Sequence, residues 1–139
     1  MANPPVFVDV FLAPIRDSQA AQVAVAAVLF LILLDWVVGT LFAVLAHEYK
    51  SEVAREGIAH KASELCFVLL GVVIDGTIAG GLSVGFGEPV LIGCCVYIIL
   101  MEVASIFETI GRANPELAQS PFFKVLKSVQ EAAEAKAGE

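Results

Sequence analysis

Asp35, Asp75 and Glu102 are carboxylic acids set inside long apolar stretches, and no other feature of this sequence is better placed to do chemistry. Asp35 lies in FLILLDWVVGTLFAVLA, Asp75 in GVVIDGTIAGG, and Glu102 follows VYIILM. An ionised acid at the centre of a lone apolar helix costs about 2.5–3.5 kcal/mol on insertion scales. None of the three stretches carries a Lys or Arg, so no basic residue is expected to neutralise them. Two arrangements would satisfy such groups: the acids keep their protons, or they face water inside an assembly. A protonated Asp that only hydrogen-bonds a neighbouring helix is the plainer version of the first, contributing about 0.6–2 kcal/mol.

Small residues accompany the acids at helical spacing. Asp35, Gly39 and Ala43 share one helix face, as do Gly71, Asp75 and Ala79, with Gly76 and Gly80 alongside. Such faces let backbones approach and set the polar group in the contact, so packing through the acidic face, within a chain or between copies, is expected. If two neighbouring helices run antiparallel, Asp35 and Asp75 would lie at similar depth.

The elements that hold these residues follow from hydropathy. A hydrocarbon core of about 30 Å needs roughly 20 apolar residues of helix, and residues 23–46, 66–84 and 89–110 each meet that need. With 58% hydrophobic and 17% charged residues, the 139-residue chain lacks the polar surface of a soluble domain. The expected fold is an all-α integral membrane protein in three parts: an N-terminal interfacial segment (1–19), a three-helix transmembrane domain (20–111), and a cytoplasmic amphipathic helix with its tail (112–139). Glu88-Pro89 reads as a helix start after the glycine-rich SVGFGEP turn, which makes the second and third spans a tight hairpin.

Arg16 stands on one face of this arrangement, against Lys50, Arg55, Lys61, Arg112, Lys124, Lys127 and Lys136 on the other. Positive charge stays cytoplasmic, so the N-terminus is expected outside and the C-terminus inside. The first nineteen residues have no basic start and a proline at position 14, which argues against a cleaved signal peptide. Val6, Phe7, Val10 and Phe11 would share a face of a short interfacial helix. After Ile110, GRANPE should break the helix, and Ser120-Pro121 offers an N-cap and first-turn proline for another. In that last helix Phe122, Val125, Leu126, Val129 and Ala133 form one stripe, suited to the membrane surface, the bundle, or contact between copies.

Several function classes are excluded. A net charge of −7 with eight Lys and Arg residues builds no face for a phosphate backbone, so nucleic acid is not an expected partner. Cys66, Cys94 and Cys95 lack metal-ligand spacing and read as buried small hydrophobes. His47 and His60 lie in the polar connection without a zinc motif, no nucleophile elbow or phosphate loop occurs, and neither catalysis, a metal nor a cofactor is expected.

LLDWVVGTLFAV, Ser51 and REGIAHK in the connection, Asp75, and EVASIFETIGRANPE at the exit of the third span together resemble the toxin-secretion/phage-lysis holin family. The resemblance covers roughly Leu33 to Leu117. Asp35, Gly39, Ser51, Gly57, Lys61, Asp75, Glu102, Ser105, Glu108 and Pro115 occupy its matching places, whereas Thr109 stands where the family has asparagine. The first nineteen residues have no counterpart.

The resemblance implies a phage-encoded protein that gathers in the host cytoplasmic membrane, forms homo-oligomers in the lipid bilayer, and opens lesions that release an endolysin or a toxin. Asp35, Gly39, Ala43, Gly71, Asp75, Gly76, Gly80, Glu102, Ser105 and Glu108 are then the expected pore and oligomerisation residues, with Ser51, Gly57 and Lys61 in a cytoplasmic loop. In this reading Asp35, Asp75 and Glu102 are hydrogen-bonded and largely protonated in a closed, lipid-surrounded form, and line water in an open one. A small proton-coupled transporter or channel subunit, or an accessory subunit of a larger membrane complex, would also account for buried acids.

Overall fold

A computed structural model describes residues 7–82 and 87–137, and these form helices joined by short connections. Helix α1 spans Phe7–Arg16, α2 Gln19–Leu45, α3 Ser51–Thr77, α4 Pro89–Ala113, α5 Pro115–Ala118 and α6 Pro121–Ala137. A wider π-helical turn, Ile78–Leu82, extends α3. Helices α2, α3 with its extension, and α4 are long and apolar enough to cross a membrane. At 1.5 Å per residue, the 27 residues of α2 reach about 40 Å.

Local chemistry sets the ends of α2. The Ser18 hydroxyl accepts a hydrogen bond from the Ala21 N–H at 3.2 Å, satisfying a first-turn donor. At the other end His47 takes a left-handed conformation, φ 58°. Its N–H donates to the Val44 carbonyl at 3.1 Å and the Glu48 N–H to the Ala43 carbonyl at 2.9 Å, the paired bonds of a Schellman motif. The chain therefore reverses within residues 46–50.

Helix α3 begins at Ser51, well before the apolar window at 66–84, so most of the expected polar connection is helix. Hydropathy measures apolarity, whereas Ala, Glu, Arg and Lys favour a helix whatever surrounds it. Glu52, Arg55, Glu56 and His60 turn outward, which lets the polar half of α3 continue the span.

Helix α4 packs against both α2 and α3, while α2 and α3 touch little despite being consecutive. The core between them comprises Ala21 and Val28 of α2, Val68 and Val72 of α3, and Leu91, Cys95 and Ile98 of α4. Outward-facing Leu33, Leu41, Leu69, Leu70, Val96 and Leu100 leave an apolar exterior that would aggregate in water and is at home among lipid tails. Cys95 is buried as expected; Cys66 instead is exposed on the outer surface of α3, because it points away from α4.

Two glycines permit the closest approaches. A Cβ on Gly71 would stand 2.9 Å from the Leu91 Cα, and one on Gly76 2.9 Å from the Phe11 Cα. Gly71 thus seats α4, and Gly76 with Gly80 seats α1 through Phe11 and Val10. The short N-terminal helix lies along the far end of α3 with Pro14 buried. Val6, the first member of its expected apolar face, and residues 83–86 of the SVGFGEP turn lie outside the described residues. At the α1–α2 junction Arg16 forms a two-pronged hydrogen bond with Asp17, at 2.8 and 3.0 Å, which holds the exposed Asp17 carboxyl below the usual range.

The exit of α4 follows the sequence. Asn114 ends the helix and accepts from the Leu117 N–H at 3.1 Å to start α5, and Ser120 accepts from the Phe123 N–H at 3.3 Å to start α6. Phe123 packs edge-on against Phe107 of α4, ring centroids 5.0 Å apart. Phe122, Val125 and Val129 of the expected stripe face outward, because Phe123 beside them makes the contact with the bundle. The side chains of Leu126 and Ala133 lie outside those described.

Candidate functional site

Lys61 joins all three spans. It lies ten residues past the start of α3, about 15 Å along the helix. Its Nζ is 2.8 Å from Asp35 Oδ2 on α2 and donates to both carboxyl oxygens of Glu102 on α4. Glu64, one turn further along α3, has Oε2 3.7 Å from the same ammonium and Oε1 3.1 Å from His60 Nε2. The expectation that no basic residue neutralises the membrane acids is overturned. Helix α3 starts early enough to bring Lys61 inside, and its flexible methylene stem carries the charge to the bundle axis.

The three spans supply this cluster at one level because they alternate in direction. Asp35 lies ten residues before Leu45, and Glu102 eleven before Ala113, so both stand about 15–17 Å from those helix ends. Glu64 and Glu102 are 4% and 1% exposed, and the Asp35 and Lys61 side chains 13% and 14%. Three carboxyl groups thus crowd one buried ammonium.

Asp75 does not join them. It lies fourteen residues beyond Lys61 on α3, about 21 Å along the helix. There its Oδ2 accepts from the Leu91 N–H at 2.7 Å and its Oδ1 from the Val90 N–H at 3.4 Å. Pro89 at the start of α4 has no N–H, and Glu88 makes no capping bond. Asp75 therefore caps α4 from the neighbouring helix. The expectation that Asp35 and Asp75 share a depth fails because the spans are offset by the early start of α3.

The small-residue faces also divide. Gly71, Gly76 and Gly80 are occupied within the chain, but among the described residues nothing lies within 4 Å of a Cβ on Gly39 or Gly57. Gly39 and Ala43 of α2 face Ala54 and Gly57 of α3 across an open groove of about 240 Å³, with Asp35 and Lys61 at its base. Ser105 lines a separate cleft beside Glu102. Glu108 pairs with Arg112 at 2.9 Å on the exposed surface, and Ser51 is the first residue of α3.

Sequence reasoning missed Glu64 and His60. Their i, i+4 spacing, with Lys61 between them, was a signal, but only a helix reaching back to Ser51 makes it meaningful. Among the described residues, no group of three or more His, Cys, Asp or Glu side chains is placed to hold a metal ion.

A model of the bacteriophage holin family matches residues 19–129. The chain belongs to the bacteriophage holin family. The match takes in all three spans and the Lys61 cluster, and reaches beyond the Leu33–Leu117 resemblance at both ends. It leaves out α1, the helix seated on Gly76 and Gly80. No curated protein and no solved structure matches the chain. The holin family is one of non-enzymatic membrane proteins, and this member is a multi-pass protein of the lipid bilayer.

Proposed function

We propose that this holin-family protein gathers in the bacterial cytoplasmic membrane, assembles with copies of itself, and opens non-selective lesions through which an endolysin, or a toxin, leaves the cell. The observation that carries the reading is the family match across three spans whose centre is charged. Within the single chain Asp35 and Glu102 bond to Lys61, and Asp75 to the start of α4. Separating α2 from α4 would strip Lys61 of a partner, and in hydrocarbon only water could replace it. Assembly that admits water to this face therefore exchanges an internal ion cluster for a polar lumen. The open Gly39–Ala43 wall is the surface through which copies meet, and no step calls for catalysis.

The N-terminus is proposed outside and the C-terminus inside. Moving Lys61 into the bundle still leaves Lys50, Arg55 and Arg112 on the inner face against Arg16 on the outer.

The test is induced expression in a bacterium, alone and with a cytoplasmic muralytic enzyme that lacks an export signal. Abrupt loss of membrane potential, with turbidity collapsing only when the enzyme is present, is expected. Continued growth with an intact membrane would refute lesion formation. The same ion cluster would serve a proton-coupled transporter; that reading calls for a defined ion flux without escape of a folded cytosolic reporter.

A further inference from the structure

Among the described residues, Glu64 is the one whose buried side-chain oxygens lack a hydrogen-bond partner. It is 4% exposed, and neither carboxyl oxygen accepts a hydrogen bond of good geometry. The Lys61 ammonium, 3.7 Å away, is committed to Asp35 and Glu102. Glu102 holds the same ammonium at 2.5 Å, so the two carboxyl groups meet around one cation. With Asp35 also on that ammonium, three carboxyl groups face one cation, and a proton on the buried, unbonded Glu64 reduces the excess negative charge.

A route from water leads to this point. A cleft of about 460 Å³ opens between α3 and α4 and runs from Val53 and Glu56, near the start of α3, past His60 to Glu64. Spacings of three and four residues put these side chains on one helix face, so the polar line is continuous from the helix end to the bundle centre. His60 is half-exposed, and its Nε2 stands 3.1 Å from Glu64 Oε1.

We propose that this cleft is a proton-binding site, in which Glu64 holds a proton and His60 exchanges it with water. The groups lining the cleft with Glu64 are Asp35 from α2, His60 and Lys61 from α3, and Glu102 from α4; Glu56 lies at the mouth. On loading, His60 takes a proton from water at Nδ1 and passes the one on Nε2 to a Glu64 oxygen. Unloading reverses both transfers, which restores the starting tautomer. Nothing is oxidised, and one proton enters for each that is bound. The Lys61 ammonium already fills the position between the carboxylates that a metal cation would take. The site goes beyond lesion formation and stands without it, because it is a property of the single chain at rest.

The test is infrared spectroscopy of the full-length protein in phosphatidylethanolamine/phosphatidylglycerol vesicles at neutral pH, reading the C=O stretch of protonated carboxyl groups and its shift after transfer to D2O buffer. Exposed acids are ionised there and do not contribute. The band is expected in the natural chain, absent in Glu64→Gln, and retained in Glu56→Gln. In His60→Ala the band should remain while its exchange slows by roughly tenfold or more. Gln has the shape of a protonated Glu, so Glu64→Gln should keep its helical circular dichroism. No band in the natural chain, a band that survives Glu64→Gln, or loss of fold in that variant would each overturn the site, and exchange unchanged in His60→Ala would overturn the route.

Discussion

Lys61 is the residue on which the membrane acids depend. Removing one partner from a buried ion cluster leaves uncompensated charge, whereas removing the whole set is often nearly neutral. Lys61→Met is therefore expected to lower unfolding free energy in detergent by about 3–5 kcal/mol. Adding Asp35→Asn and Glu102→Gln to that variant should recover most of the loss; a triple variant no more stable than Lys61→Met would show that Lys61 acts in some other way. His47 makes the opposite case. Its left-handed backbone, φ 58°, costs a non-glycine residue about 1–2 kcal/mol. His47→Gly keeps the Schellman hydrogen bonds and relieves that strain, so it should raise stability by about 1 kcal/mol after the greater backbone entropy of unfolded glycine is offset. A variant less stable than the natural chain would mean that the imidazole makes contacts that outweigh the strain.

Element by element, the acids perform different tasks. Asp75 fixes where α4 begins by supplying acceptors to the Val90 and Leu91 N–H groups across the α3–α4 contact. Asp75→Ala should cost about 0.5–2 kcal/mol, with faster amide hydrogen exchange at Val90 and Leu91, while Asp75→Asn should retain much of the protection. Equal protection in the alanine variant would place the capping function elsewhere. One turn before Asp75, Gly71 brings the α4 backbone close enough for those bonds to form; one residue after it, Gly76 seats α1. A face that reads as one stripe for helix association is in fact divided between two partners of the same chain.

For the whole molecule, the question is which surface remains for another copy. Among the described residues nothing lies within 4 Å of a Cβ on Gly39, and the groove it lines with Ala43, Ala54 and Gly57 is open. Gly39→Leu should therefore leave unfolding of the single chain within about 0.5 kcal/mol of the natural one. It should also reduce cross-linked oligomers in membranes and delay lysis. Undiminished cross-linking would assign assembly to a different face, with the outward stripe of Phe122, Val125 and Val129 on α6 the next to vary. The sequence by itself determined the membrane class, the three spans, the start of α4 at Pro89 and of α6 after Ser120, and the family resemblance. These follow from local composition, caps and spacing, which act within a few turns of one helix. Only the tertiary structure decided that Asp35 and Glu102 meet on Lys61, that Asp75 caps α4, and that three glycines are filled from within. Those outcomes depend on how far α3 extends and how the spans are offset. A hydropathy window reports where a helix is apolar but not where it begins, so it left Lys61 and Glu64 in a loop when the fold carries both to the centre.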